Sequence, residues 1–378
     1  MRIIIGELKK IWSLKIIIII AVFCASYFIL FMFTPIDFYK QHRTSGGIGS
    51  IQTEFAHYLT ERFGSTIEQE DLDEMLRYRD EIIASVLNRL PLSTGDSGNT
   101  MTFFDVEGNQ IAPPTSQELA EAVFDGIVVM YNDRHDLIDR FVQSNIAYNT
   151  SLRELRINRL YQIRDNDAQR SILNPIIFVH ILEYLQRLAV LAILATLVLV
   201  SQLVVTDRTN KVNWLQYTSR QGRSILKKQF VAIVISAIGI TTLVVFIFMA
   251  ILFYATNVHA FWNNGINGFM SFPYHWLSIT FGQYCLLIIG IIYLLAIGAA
   301  TLAFTLSRFS KNLVLLIFKT IPLFVFAILL SNWVLGDFLS LFDTVNIFIQ
   351  LLVFAGLFAV GIGVAIFVIR KEKMVELL

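Results

Sequence analysis

Six cationic side chains, Arg208, Lys211, Arg220, Arg223, Lys227 and Lys228, stand in a stretch from Asp207 to Gln229 that holds a single acid. Their chemistry is electrostatic. Guanidinium and ammonium groups attract anionic surfaces and keep a loop on the side of a membrane where positive charge collects. The stretch also carries Val212, Trp214, Leu215 and Tyr217, an apolar ridge for which a solvated loop has no use. One reading is insertion into the lipid surface beside the bases. The sharper one is a short helix that presents its apolar side to a cytoplasmic partner, followed by the polar turn Thr218-Ser219-Arg220.

Three ionisable residues lie inside apolar segments and are candidate pathway residues: Glu183, Arg187 and Lys319. Charge within a membrane is costly and faces a water-filled route or another helix. Glu183 and Arg187 are four apart and can satisfy each other. Lys319, three residues before Pro322, can snorkel to the nearer surface. His180 and Glu183 share a helical face, but a metal site needs more ligands than two. His259 and His275 sit among Trp262, Tyr274 and Trp276, a setting that fits interfacial anchoring better than chemistry. The chain contains no GxxxxGK[ST], no GxSxG and no HExxH. It therefore has no phosphate-cradling loop of its own, and no residue is assigned as catalytic or as a metal ligand. The sequon Asn149-Thr150-Ser151 matters only in a cell that glycosylates secreted proteins.

The elements that would position these residues are long and apolar. Of 378 residues, 55% are hydrophobic and 16% charged, against about 25% charged in an ordinary soluble chain. The charge is segregated, with 22 of the 29 acids falling between Asp37 and Arg170 and no Asp, Glu, Lys or Arg from Gln229 to Ser307. The expected fold is all-α and polytopic, because a bilayer core takes roughly 20 apolar helical residues per span. Six spans are expected, at 16–35, 176–205, 229–254, 276–306, 312–330 and 344–369. The first resembles a signal peptide, yet its apolar run continues past any small-residue cleavage site, and Val22-Phe23-Cys24 has Phe where a lipoprotein box needs a small residue. With both ends inside, the segments 1–15, 207–228, 308–311 and 370–378 hold 15 of the 17 bases found outside the 37–170 region. This is the positive-inside pattern, and it sets residues 37–172 outside. Cys24 and Cys285 both lie in apolar runs, so no intrachain disulfide staples that polar domain.

The outer domain reads as mainly helical. Leu72, Met75, Leu76, Ile82, Ile83, Val86, Leu87 and Leu90 follow helical spacing. A helix is expected after Pro113-Pro114, carrying Leu119, Val123 and Val128, and two more over 136–146 and 151–163. Thr102 to Ile111 reads as a small hairpin and Ser93 to Thr100 as a loop. Its acidic surface could steer cationic peptides, although ordinary solubility explains it more simply. At the other end of the chain's logic, residues 1–15 place Ile4, Ile5, Leu8, Ile11 and Trp12 on one side and Glu7, Lys9 and Lys10 on much of the rest. That pattern suits an amphipathic helix lying in the inner interface.

With this layout the chain resembles the membrane subunit of an ABC exporter of the ABC-2 type (type V) permease family. The resemblance is carried by the interface helix with Glu7-Leu8-Lys9-Lys10-Ile11-Trp12, by six spans with both termini inside, and by the loop with Asp207 and Thr218-Ser219-Arg220. It is also carried by an amphipathic or re-entrant segment at 331–343 before the last span. Asp207 stands where the family usually has Glu, Asn210-Lys211 replaces the usual pair, and the insert at 37–172 matches no motif. The resemblance implies that Asp207, Lys211, Trp214, Leu215, Tyr217, Thr218, Ser219, Arg220 and Arg223 belong to a coupling element seated on a separate ATPase subunit, together with the interface helix. It implies ATP and magnesium on that partner and none on this chain. It also implies a second permease, identical or related, in the plasma membrane of a bacterial cell, and an outward-moving lipid-like, peptide or drug-like substrate. No nucleic-acid partner is expected. Two other classes fit the same layout: a membrane sensor or resistance component whose outer domain binds a ligand without transport, and a polytopic membrane enzyme using the outer histidines.

Overall fold

The computed structural model of the chain describes residues 2–44, 48–90, 103–104, 110–111, 115–143, 153–209, 225–270, 274–308, 310, 313–336, 338–341 and 347–375. Apart from a two-rung ladder pairing Phe103 with Ile111 and Phe104 with Gln110, its regular elements are helices. In chain order they are α1 (Arg2–Ile11), α2 (Leu14–Tyr27), α3 (Phe33–Thr44), α4 (Ile48–Phe63), α5 (Gln69–Arg77), α6 (Arg79–Arg89) and α7 (Ser116–Asn132), then α8 (Arg134–Gln143) and α9 (Arg153–Asp165). The long ones follow: α10 (Pro175–Thr209), α11 (Ile225–Thr256), α12 (Phe281–Arg308), α13 (Leu313–Leu335) and α14 (Ile347–Val375). Among the described residues four stretches, Leu14–Lys40, Pro175–Ser201, Lys227–Thr256 and Phe281–Ser307, are helical, long and apolar enough to cross a membrane. A helix satisfies its backbone hydrogen bonds internally, which is what lets such sequences leave water.

α10 is the centre of the bundle. Most of its apolar surface is buried, while His180, Glu183, Gln186 and Arg187 form a partly exposed polar stripe at i, i+3, i+6 and i+7. Leu185, Leu188, Ala189, Ala192 and Ala195 are fully buried, and the helix packs against α2, α3, α11, α12 and α13. α12 lies beside it and carries α14.

The first apolar run does not stop at Pro35. Helix continues from Leu14 through Thr44, with one widened turn at Phe28–Met32 where the Phe33 N–H reaches back five residues to the Phe28 carbonyl. Proline removes an N–H and crowds the carbonyl four residues earlier. A widened turn just ahead of it absorbs that crowding, so the chain bends instead of ending.

The insert forms its own helical layer. α4 packs on α3, α6 and α7 around Phe55, Leu59, Ile83, Val86 and Phe124. Thr115 caps α7: its hydroxyl accepts from the Glu118 N–H at 3.2 Å while the Glu118 carboxylate accepts from the Thr115 N–H at 2.7 Å. That box starts the helix where the two prolines made a start expected. α8 and α9 occupy the 136–146 and 151–163 regions within a few residues of expectation.

Residues 169–172 join this layer to the bundle through backbone hydrogen bonds. Ile67 donates to the Arg170 carbonyl at 2.9 Å and Phe269 to the Gln169 carbonyl at 2.8 Å. The buried Asn264 amide donates to the Ile172 carbonyl and, at 3.2 Å, to Thr60 Oγ1. Gly268 makes the approach feasible, since a Cβ there would lie 2.2 Å from the Ser171 carbonyl oxygen. On the far side Trp276 donates to the Leu339 carbonyl and Leu341 to the Tyr274 carbonyl, both at 2.8 Å. The insert, the 257–280 connection and the 338–341 segment thus form one surface.

Three boundaries differ from expectation. Residues 276–280 are not helical, because their backbone serves this surface, and α12 begins at Phe281. The segment expected to start at 331 is helical through Leu335, so it begins as the end of α13. Helix also runs past 369 to Val375.

Candidate functional site

α1 is where the interface residues gather. Ile4 and Leu8 pack onto the main core and Ile11 is fully buried, as the spacing of apolar residues requires. Ser13 takes an extended backbone that ends α1 and opens α2. α1 lies along α11, with a smaller contact to α10. The Trp12 indole N–H donates to Ser236 Oγ at 3.1 Å, and its ring lies against Gly239, where a Cβ would come within 3.1 Å. Glu7 is 4% exposed. It accepts from Lys10 Nζ at 3.0 Å and from the buried Gln229 amide at 3.3 Å. A buried carboxylate needs such partners. Lys9 projects outward. The structure therefore places Glu7, Lys9 and Lys10 on one short helix, and Trp12 in the turn right after it, against the N-terminal half of α11.

Asp207 lies in the last turn of α10. Lys211, Trp214, Leu215, Tyr217, Thr218, Ser219, Arg220 and Arg223 lie outside the described residues, between the end of α10 at Thr209 and the start of α11 at Ile225.

The intramembrane pair has a structural task. Arg187 is bonded to Glu183 one turn away and also donates to the Phe31 carbonyl. Phe31 is four residues before Pro35, so its carbonyl has lost the N–H that a helix would supply. The guanidinium occupies that vacancy, and Glu183 balances its charge. Next to it, the Gln186 amide donates to the carbonyls of Leu335 at 3.0 Å and Gly336 at 3.3 Å, closing the end of α13. Gln186 escaped the sequence reading, yet an uncharged polar residue inside an apolar run was its signal. Lys319 is half-buried on α13, while Glu183 takes its charge partner from its own helix.

His275, His259 and His180 have different surroundings. His275 is buried against the rings of Phe178 and Tyr284, with centroids 4.8 Å and 6.0 Å away. Burial pushes its pKa down to about 4, a hydrogen bond with the Ile266 backbone opposing. Its Nδ1 has no hydrogen-bond partner among the described residues. That is a core histidine, held neutral. His259 is exposed. His180 stacks on Phe38, with centroids 6.2 Å apart. Among the described residues no group of three or more His, Cys, Asp or Glu side chains is arranged to hold a metal ion.

The insert is organised by Asp167, which takes a left-handed backbone (φ 48°). Arg134 Nε and His135 Nε2 approach its Oδ1 at 3.1 Å and 3.2 Å, and Arg170 Nε approaches its Oδ2 at 2.5 Å. Burial alone would raise this carboxyl. The hydrogen bonds from Arg134, His135 and Arg170 outweigh it and hold the pKa at about 2. This cluster closes the α8 and α9 region onto the turn that enters the bundle.

Compared with known protein families, with curated proteins and with solved structures, the chain matches none.

Proposed function

We propose that the chain is the membrane-embedded permease of an ATP-driven exporter whose ATPase is a separate subunit. In this reading it spans the bilayer six times, with α13 and α14 as the fifth and sixth spans and both ends cytoplasmic. The helical insert covers the outer side. The observation that carries the reading is the seating of α1 on α11. Glu7 with Gln229 and Trp12 with Ser236 lock the amphipathic helix to the helix that emerges from the basic loop. A push on either the loop or α1 then reaches the same span. That is what a membrane subunit without a phosphate-binding loop needs if work is to arrive from another chain.

The resemblance to ABC-2 type permeases supplies the rest. The coupling element is Asp207 to Arg223, ATP and magnesium bind the partner, and a second permease completes the route. Glu183 and Arg187 are bonded to each other and to Phe31, which favours a bracing role for them over direct contact with substrate. The substrate class is lipid-like, peptide or drug-like. The insert acts as a lid whose backbone is tied to the connections it covers.

The test is co-purification of the full chain with its ATPase and ATP-dependent flux in vesicles. Arg220→Glu combined with Trp214→Ala should abolish ATPase association and flux while the chain still inserts. Unchanged association and flux would overturn the coupling assignment.

A further inference from the structure

Between α2 and α11 lies an apolar groove of about 440 Å³. It falls in the about 300–1,000 Å³ range of sites that take small molecules. Ala21, Cys24 and Ala25 make one wall and Ile240, Val244 and Phe248 the other. The groove exists because three small side chains on α2 face large ones on α11, leaving space that neither helix fills. Trp12 closes one end, held there by Ser236. Phe28, at the start of the widened turn, and Ile251 mark the other.

Its length and its ends point to an occupant. Along α2 it runs from Ile17 to Phe28. Eleven helical steps span roughly 16 Å at about 1.5 Å each, which is one leaflet of a hydrocarbon core about 30 Å thick. The Trp12 end is the cationic one. Lys9 and Lys15 are exposed beside it and Lys227 on the first turn of α11. Lys10 there is paired with Glu7. A transmembrane helix is about 10–12 Å across, so a length of roughly 16 Å would take up on the order of 1,200 Å³, well over the groove's about 440 Å³. A single alkyl chain fits.

We propose that this groove binds one acyl chain of an anionic phospholipid from the leaflet on the basic side, its headgroup held near Lys9 and Lys15. The site needs only that α2 and α11 lie in a bilayer. It is independent of the transport reading and stands or falls separately from ATPase association. A bound chain would fill the slack between the first and third apolar helices and stiffen the seat of α1, since loosely packed helices lose the dispersion contacts a filled space supplies.

The experiment uses full-length protein in nanodiscs with Trp214, Trp262, Trp276 and Trp333 replaced by Phe, so that Trp12 is the only indole. Brominated phosphatidylglycerol should quench Trp12 more strongly than brominated phosphatidylcholine at equal mole fraction. Lys9→Gln with Lys15→Gln, both at exposed positions, should lower that preference about fivefold per lysine. Ala21→Phe with Ala25→Phe should occupy the groove and remove the saturable part of the quenching. Cys285, 1% exposed, serves as the folding control in a Cys24→Ser background, where it is the single cysteine and stays unreactive to a maleimide while the bundle is intact. If the filled variant exposes Cys285, the lysine variants alone decide. Equal quenching by the two lipids, or quenching unchanged by the lysine changes, would show ordinary annular contact and overturn the site. Loss of quenching on dimerisation would assign the groove to a second copy and overturn it equally.

Discussion

At the insert side the chain is held by backbone hydrogen bonds and buried amides. Residues 169–172 give up their carbonyls to Ile67, Phe269 and Asn264, and Tyr274 and Leu339 do the same for Leu341 and Trp276. At the α1 side the hold described is the packing of Ile4, Leu8 and Ile11, the hydrogen bonds Glu7–Gln229 and Trp12–Ser236, and a ring laid on a glycine, beside an apolar groove. Directional bonds between backbones admit one register and resist sliding, whereas apolar side chains across a groove permit small shifts at little expense. The insert side is thus held in one register, while the α1 side leaves room for small shifts.

The largest expected effect is at the fixed side. Gly268→Ala would push a Cβ into the Ser171 carbonyl and should destabilise by about 3 kcal/mol. Gly290→Ala, with nothing within 4 Å, should lie within about 0.5 kcal/mol of wild type. Chemical denaturation in detergent, followed through intrinsic fluorescence, compares the two. Equal effects would remove the claim that the cover is tightly registered.

A pH effect of similar size follows from His275. Its folded pKa, about 4, lies below the unfolded value, so the unfolded chain binds more protons between the two. Stability is complete above about pH 6.5 and declines as pH falls toward 4, by up to about 3 kcal/mol. His275→Phe should flatten the profile in that window. Asp167 works at lower pH: its carboxyl is depressed to about 2, so its contribution is lost only as pH falls below about 4.

Asn264→Ala leaves the Ile172 carbonyl buried without its donor and should lower stability by about 2 kcal/mol. Next in size is Arg187→Met combined with Glu183→Gln, which removes the charge pair together, exposes the deficit at Phe31 and should weaken the fold by about 1 kcal/mol. In a double-mutant cycle that loss should shrink on a Pro35→Ala background, where a backbone N–H is restored. A loss of the same size on both backgrounds would separate Arg187 from the proline. The smallest change in stability is expected for Trp12→Phe, roughly 0.5 kcal/mol for one exchanged hydrogen bond. If Trp12→Phe proved more destabilising than Asn264→Ala, the contrast between the two sides would be inverted.

Much of the helix inventory was legible, because periodicity and run length are local properties. The apolar face of α1, the spacing in α5 and α6, and the start of α7 after two prolines all follow from neighbours within a turn or two. The helix that carries the first span runs on past Pro35 for a physical reason. Proline ends a helix when nothing relieves the crowding and the orphaned carbonyl, and here a widened turn does the first while Arg187, 156 residues away, does the second. The start of α12 shifted because Tyr274 to Trp276 pair with residues 339–341, and Ile279 and Thr280 with Ile266 and Gly265. In the candidate site, Glu7 and Trp12 stood out as one face of an amphipathic helix. Gln229 and Ser236, which hold them, lie 222 and 224 residues further on, and nothing in their own neighbourhood marks them.

By itself the amino-acid order determined that the protein is built from long apolar helices, that its charge is confined to one insert and a few short segments, and that it contains no GxxxxGK[ST] motif. These follow from composition, run length and motif, each readable within a window of tens of residues. Only the tertiary structure decided which polar groups answer one another: Arg187 with Phe31, Gln186 with the end of α13, Glu7 with Gln229, His275 with a ring of aromatics. It also decided that Ala21, Cys24 and Ala25 face the large side chains of α11 across a space. Such pairings depend on how helices are set side by side, and packing brings together residues that the chain keeps a hundred or more positions apart.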